Sequence, residues 1–427
     1  MNPVYSALLT STAHLMKIGT GFVFLKLTAV YLGAEGMGLL GQFMSLVAIL
    51  FLMAGGGVVN GVIKYVAEYR SEPRKLLHFL LSAKTYSLSF GIVVFIVCAV
   101  FSIEISTYVF KDDSLYWVII FLGFAQFGFA FTNLVTGTAN GLTDTKTYAL
   151  IQITGNLLAL PLMWILIKNY EVAGASLAVI LMFVANTVPS YFFYKKSKFN
   201  NKILGIKIAR GDFKKLSTYS LMALAGAISF PLVELIVRTS IIENVGYDAA
   251  GLWQASIKLS SAYMGFFIVF LSVYFMPLIS AQTIKAKIGL TVIKYIKVVA
   301  LLFSVGAMVF YFTRESLIPL LLSDEFLPLA SVIKYQLLGD FFRVLSFVIG
   351  FVIIAKAGLT IYLISEITQG LIFCLLSLYF LEIGMGLEGV LIAHLVMNIT
   401  FFGCSILGFI IYLNRNRNRN RSDHANS

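Results

Sequence analysis

Apolar residues run through this chain in long unbroken blocks separated by short polar clusters, with no strict alternation between the two kinds of position. Twelve blocks reach membrane length, at 8–31, 39–66, 82–103, 115–138, 146–168, 172–194, 217–243, 251–279, 290–312, 329–354, 360–382 and 388–413. A helix crossing lipid needs about 20 mainly apolar residues. A transmembrane barrel strand would instead alternate between lipid and lumen. The pattern therefore predicts an all-α integral membrane protein with twelve transmembrane helices, the backbone satisfying its own hydrogen bonds within each helix.

The blocks repeat. Tyr148 to Thr154 reads YALIQIT, and Tyr362 to Thr368 reads YLISEIT. Gly38, Leu39 and Gln42 return as Gly251, Leu252 and Gln254, Asp112 and Asp113 as Asp324 and Glu325, and Gly174 as Gly389, so the offset stays between 212 and 215 residues. Two pseudo-symmetric six-helix bundles follow. Six is even, so both start on the same side of the membrane as parallel repeats. This duplication is a signature of secondary transporters, whose substrate path lies where the repeats meet. The one long connection, Lys195 to Leu216, marks the expected boundary: an N-terminal bundle at 1–200, a C-terminal bundle at 201–413 and a basic tail at 414–427.

Composition agrees, with 59% hydrophobic and 12% charged residues and a mean hydropathy of +0.90, outside the range of soluble domains. The net charge of +12 raises the question of nucleic acid, and the placement of the charges answers it. With both termini cytoplasmic, 20 Lys and Arg fall in inner loops and tail, among them Arg70, Arg74, Lys75, Lys84, Lys146, eight residues from Lys195 to Lys215, Lys285, Lys287, Lys356 and four tail arginines; outer loops hold Lys111, Lys168 and Arg314. This asymmetry sets the orientation and leaves the bilayer, with no nucleic acid, as the partner. The tail's alternating Asn and Arg read as an anchor to anionic lipid. The stretch from Glu68 to Lys84, with Pro73 and six residues reading LLHFLL, is expected to lie along the interface as a short amphipathic helix. The first block lacks a basic leader and reads as a retained helix.

Candidate chemistry narrows quickly. Gly36 to Gly41 fits a dinucleotide pattern, but it joins two membrane helices with no strand before it, so it reads as a flexible turn with close helix packing. Cys98, Cys374 and Cys404 lie inside apolar blocks and imply no disulfide framework. His14, His78, His394 and His424 are scattered, and neither a Walker A sequence nor a zinc-ligand or Ser/His/Asp pattern occurs. The sequence thus predicts no catalytic centre, metal site or cofactor.

Charges inside the spans are more telling, because each costs at least about 2.5–3.5 kcal/mol at the bilayer centre. Nine are basic and three acidic. Lys294, Lys297 and Lys334 sit near helix ends, where they can snorkel. Lys64 with Glu68, Glu234 with Arg238, and Asp340 with Arg343 have the spacing to neutralise each other on one helix face. Lys17, Lys26, Lys258 and Glu366 have no such local partner. Lys26, Arg238 and Lys258 fall in the outer third of their spans, and the repeat maps Lys26 onto Arg238, on opposite walls of one central chamber. Lys17 can join them only if the helix bends at Gly19 and Gly21. Cations at one depth suit a multiply charged anion, of which phosphate is the simplest. Lys26, Lys17, Arg238, Lys258 and Arg343 are the expected substrate ligands; Glu366, Asp340 and Glu234 are the expected ion-coupling or charge-pairing groups. Glu366 stands where the first repeat has Gln152, giving one half a titratable group.

Gly36 to Phe43 (GMGLLGQF), Asn60 to Tyr69 (NGVIKYVAEY), Leu221 to Leu224, Gly251 to Gln254 (GLWQ), Ser272 to Pro277 (SVYFMP), Tyr335 to Asp340 (YQLLGD) and Ile354 to Ala357 together resemble the Wzx flippases. These belong to the MOP exporter superfamily, with the multidrug exporters and the peptidoglycan-precursor flippases. The resemblance implies a MATE-like fold in the bacterial inner membrane. It implies transport of undecaprenyl-pyrophosphate-linked oligosaccharide, for O-antigen or enterobacterial common antigen, from the cytoplasmic to the periplasmic leaflet. It also implies work beside glycan polymerase and chain-length machinery, with the charged span residues handling substrate or a coupling proton. Two other readings stand beside it: a cation-coupled multidrug-type antiporter, which would want an acidic cavity, and a membrane-embedded glycan polymerase or ligase, which would want a large periplasmic loop.

Overall fold

A computed structural model describes residues 3–200, 205–206, 209–282, 284–355 and 359–414. Lys202, Lys207, Lys356 and the four tail arginines lie outside the described residues. Among the described residues the regular structure is helical, as lipid demands. The chain divides into two compact units, 1–239 and 240–427. The boundary expected at residue 200 follows internal similarity, whereas this division follows which residues pack together.

Unit 1 holds α1 (Pro3–Leu52), α2 (Val59–Tyr69), α3 (Pro73–Val100), α4 (Ser102–Phe110), α5 (Tyr116–Gly141), α6 (Thr145–Val184), α7 (Thr187–Lys196) and most of α8 (Arg210–Asn244). Unit 2 holds α9 (Tyr247–Phe270), a π-helical turn (Leu271–Phe275), α10 (Met276–Ala281), α11 (Lys285–Leu321), α12 (Leu329–Ala355), α13 (Leu359–Glu382) and α14 (Gly386–Asn414). Among the described residues nine helical stretches are long and apolar enough to cross a membrane. Two of them, of 61 and 52 residues, would reach about 90 and 80 Å at 1.5 Å per residue. Each is long enough for two crossings. Each contains a sharp non-helical residue, Gly33 at φ 66° and Glu171 at φ 46°. The protein is a multi-pass membrane protein.

The unit 1 core forms where α1 packs along α6 and α3 along α5, around Phe43, Leu122, Phe129, Met163 and Val179. In unit 2, α12 packs on α14 and α11 around Phe275, Phe303, Val344 and Val348. Polar caps fix the ends. Asp144 accepts from the Thr147 backbone N–H at 3.1 Å and starts α6.

Three expectations change. The turn near Gly36 is at Gly33, and residues 36–41 are helical. The stretch expected along the interface is the start of α3: Pro73 opens the helix, and Leu76, Phe79, Leu80 and Ala83 are buried against Val58, Val62, Val66 and Leu216. The second block is interrupted. Gly55, Gly56 and Gly57 take φ 64°, 82° and 66°, between the end of α1 and the start of α2. Space is as restrictive as dihedral there, since a Cβ at Gly57 would stand 2.2 Å from the Ala223 side chain. The Gly56 carbonyl, released from the helical ladder, accepts from Ser220 Oγ at 2.5 Å, and Ser220 in turn meets Tyr86 OH at 2.7 Å.

Candidate functional site

Gln336, Asp340 and Arg343 follow one another at four and three residues along α12 and so share a face. Asp340 is 0% exposed. A buried carboxylate needs donors, and three helices supply them. Tyr263 of α9 donates its hydroxyl to Oδ2, and Gln336 Nε2 donates to the same oxygen at 3.0 Å. His394 of α14 brings Nε2 to 3.1 Å from Oδ1. With the Nε2–H donating to Asp340, Nδ1 accepts from Asn398 Nδ2 at 3.3 Å. Gln369 of α13 reaches Asn398 Oδ1 at 3.4 Å. The close approach of α12 to α14 depends on Gly339, where a Cβ would stand 2.5 Å from the His394 ring.

Arg343 joins this sealed cluster to open space. Its Nη1 lies 3.9 Å from Asp340 Oδ1, and its side chain lines a cavity of about 590 Å³ walled chiefly by apolar residues of α12 and α14. Glu366 and Gln369 of α13 line the same cavity. A cation and a carboxylate on a mostly apolar wall can bind an anion through the guanidinium fork and exchange a proton through the carboxylate. Among the described residues no three His, Cys, Asp or Glu side chains gather where a metal ion could be held.

Unit 2 therefore brings together Asp340, Arg343 and Glu366 of the residues singled out from sequence, and Lys258 is half-buried on α9. In unit 1, Arg238 is 0% exposed. Rather than lining a wet wall, it lies against α1, where Nη1 donates to the Gly41 carbonyl at 2.8 Å and to Ser45 Oγ at 2.6 Å. Gly41 has to be small, since a Cβ there would meet Arg238 Nε at 2.7 Å. Glu234 is half-buried one turn earlier on α8. Lys17 is exposed and Lys26 half-buried on α1, which keeps helical dihedrals through Gly19 and Gly21. Lys64 lies over the Tyr65 ring at 5.2 Å. Lys294, Lys297 and Lys334 are exposed.

His394 and Tyr263 are what sequence reasoning missed. Histidine looked scattered because its partner is 54 residues away. The usable signal was His394 with Asn398 four residues on, two polar groups on one face of an otherwise apolar block.

The profile of a family described as polysaccharide biosynthesis protein matches residues 4–283. Lipid III flippases of Escherichia coli (strain K12) and Shigella flexneri are each 28% identical over 97% of this chain and 100% of their own length. Both are named as transporters, not enzymes. Among solved structures, the inward-facing conformation of a multidrug resistance MATE family transporter of the MOP superfamily superposes with a TM-score of 0.76 at 15% identity, covering 96% of this chain and 99% of that one. A MATE protein in complex with MaD3S superposes at 0.68, also at 15% identity, covering 97% and 96%. The fold is thus that of the MATE transporters, and with its profile matched over well more than half its length, the chain belongs to the polysaccharide biosynthesis protein family.

Proposed function

We propose that this protein is a flippase for a lipid-linked glycan, moving undecaprenyl-pyrophosphate-linked oligosaccharide of the O-antigen or enterobacterial common antigen type across the bacterial inner membrane by alternating access. The observation that carries this reading is Arg343 on the wall of a largely apolar cavity. Pyrophosphate is the substrate's charged group, and arginine binds phosphate bidentately. The polyprenyl chain stays in lipid while the head group crosses, with Lys17, Lys26 and Lys258 as further cations on the route. Export of two negative charges from a cell with a negative interior is assisted by about 2.3 kcal/mol per charge per 100 mV. Asp340 with His394, and Glu366 on the wall of the cavity that Arg343 lines, are the groups through which proton entry would couple to transport, with Glu234 pairing Arg238. Glycan polymerase and chain-length machinery would act on the product.

The test is flipping of a fluorescent undecaprenyl-pyrophosphate oligosaccharide by the purified protein in vesicles. Arg343→Gln should lower the rate at least about tenfold at every pH, since a hydrogen bond to a charged group such as the pyrophosphate is worth about 1.5–3 kcal/mol. Glu366→Gln should still flip but with a flat pH profile. A wild-type rate in Arg343→Gln removes the anion site. Glu366 also favours a second reading, cation antiport. Under that reading Glu366→Gln abolishes export of an organic cation, Arg343→Gln does not, and the gene fails to restore surface glycan to a flippase-null strain. Periplasmic build-up of lipid-linked units would instead favour a polymerase or ligase.

A further inference from the structure

The cavity of about 590 Å³ in unit 2 has two unlike ends. Gln369 on α13 donates to Asn398, four residues past His394 on α14, and Arg343 stands three residues past Asp340, the partner of that histidine. Gln369 and Arg343 therefore lie at one level, and one turn on from them Glu366 and Ser346 line the same end. Arg343 and Glu366 are the charged residues of the lining, so both charges fall at this end. The other end is walled by Phe351, Ile353 and Ile354 of α12 and Phe409 of α14, with Gly350 and Gly408 among them.

From Arg343 to Ile354 the lining runs about 16 Å along α12 at 1.5 Å per residue, about half the depth of a hydrocarbon core. Ile354 and Gly408 are exposed, so this apolar end opens at the side of the bundle. The two glycines leave it wide, since a Cβ at either would have nothing within 4 Å. That separates them from Gly339, where the His394 ring demands a small residue. Both lie inside helices, where glycine is a poor former, and its effect here is unfilled space beside an apolar wall. A mostly apolar cavity of this volume with a few polar groups gathered at one end has the form of a small-ligand site.

We propose that this cavity binds the first isoprene units of a polyprenyl pyrophosphate, with the pyrophosphate at the Arg343 end and the rest of the chain leaving past Ile354 into lipid. The proposal rests on Arg343 as the anion ligand of the reading above, and adds that the cavity recognises the lipid anchor of the substrate and not its sugars. The order of groups chooses the ligand. A polyprenyl pyrophosphate joins hydrocarbon directly to phosphate, as the apolar wall here follows directly on the charged end. A glycerophospholipid sets glycerol and ester groups between the two, and a nucleotide sugar has no hydrocarbon to fill the second end.

Isothermal titration calorimetry of the full-length protein in nanodiscs, with geranyl pyrophosphate, inorganic pyrophosphate and octanoyl lysophosphatidic acid as probes, tests the assignment. The wild type should bind geranyl pyrophosphate at least about tenfold more tightly than inorganic pyrophosphate, because burial of the isoprene units adds to the same anion contact. Gly350→Leu and Gly408→Leu, which put a side chain into the open space, should each bring geranyl pyrophosphate down to the level of inorganic pyrophosphate. Gly403→Leu is the control: it is exposed, has equally open surroundings and lies off the cavity lining, so the preference should persist. Arg343→Gln should weaken both pyrophosphates alike. Equal binding of the two pyrophosphates by the wild type, or an undiminished preference in both lining variants, overturns the proposal, and weakening by Arg343→Gln would then still leave the anion site standing. Wild-type affinity for both in Arg343→Gln overturns the placement of the pyrophosphate together with the reading it rests on. Tighter binding of octanoyl lysophosphatidic acid than of geranyl pyrophosphate overturns the proposal in favour of a general lipid groove.

Discussion

Asp340 and Arg238 solve the same problem in different ways. Each is an ionisable side chain at 0% exposure in a membrane protein, where an unpaired charge is expensive. Asp340 gathers side chains from other helices, whereas Arg238 uses a backbone carbonyl made available by the absence of a side chain at Gly41. The pairing of Asp340 with Arg343 was readable from their spacing, but the nearer partner His394 was not, because a helix repeat says nothing about a neighbour 54 residues on. Arg238 was placed on a chamber wall for a related reason: a carbonyl acceptor leaves no mark in a sequence. Removing His394 takes a donor from a sealed carboxylate. His394→Leu should therefore cost about 1–3 kcal/mol, seen as a lower Tm in detergent. Adding Asp340→Asn, which removes the charge left short of donors, should recover part of that loss, and a strictly additive double variant would mean the two residues are not coupled.

Among the elements, the interruption at Gly55 to Gly57 departs furthest from what hydropathy foretold. Three glycines in an apolar run look like a close-packing surface, and only their positive φ values reveal a break. Non-helical backbone at membrane depth persists where it is buried in protein, and Ser220 and Tyr86 provide that cover. The start of α3 was misread for the opposite reason: Pro73 and the flanking basic residues resemble an interfacial helix, while the buried side of Leu76, Phe79 and Ala83 shows only in contact with Val62 and Leu216. Glycine's role at the break is checkable against a control. Gly57→Ala demands a left-handed alanine, costing about 1–2 kcal/mol, and also displaces Ala223. Gly19→Ala, helical and with nothing within 4 Å of the new Cβ, should be neutral or gain up to about 1 kcal/mol. The folded yield after solubilisation should fall in the first and hold in the second.

Over the whole molecule the duplication remains visible in local structure. The 3₁₀ turn Asp113–Leu115 before α5 has its counterpart in Asp324–Phe326 before α12, as the acidic pairs at 112–113 and 324–325 suggested. Lipid as solvent made this level the most legible, since apolar length alone dictates a helix. What the repeat conceals is that α8, first helix of the second half by sequence, reaches back into unit 1. Its Ser220 serves a carbonyl 164 residues earlier, and its Arg238 one 197 residues earlier. The order in which a ribosome delivers these groups then matters. The bundle emerging first stays unfinished until the chain has been extended through residue 238, so a nascent chain ending at Asn200 should remain open to a membrane protease that spares one ending at Asn244. Equal digestion of the two in a pulse-chase would show that the early bundle closes unaided. A chain that waits this long for its own later segment gives quality-control proteases and insertion factors a window in which to act, and the width of that window is set by translation speed.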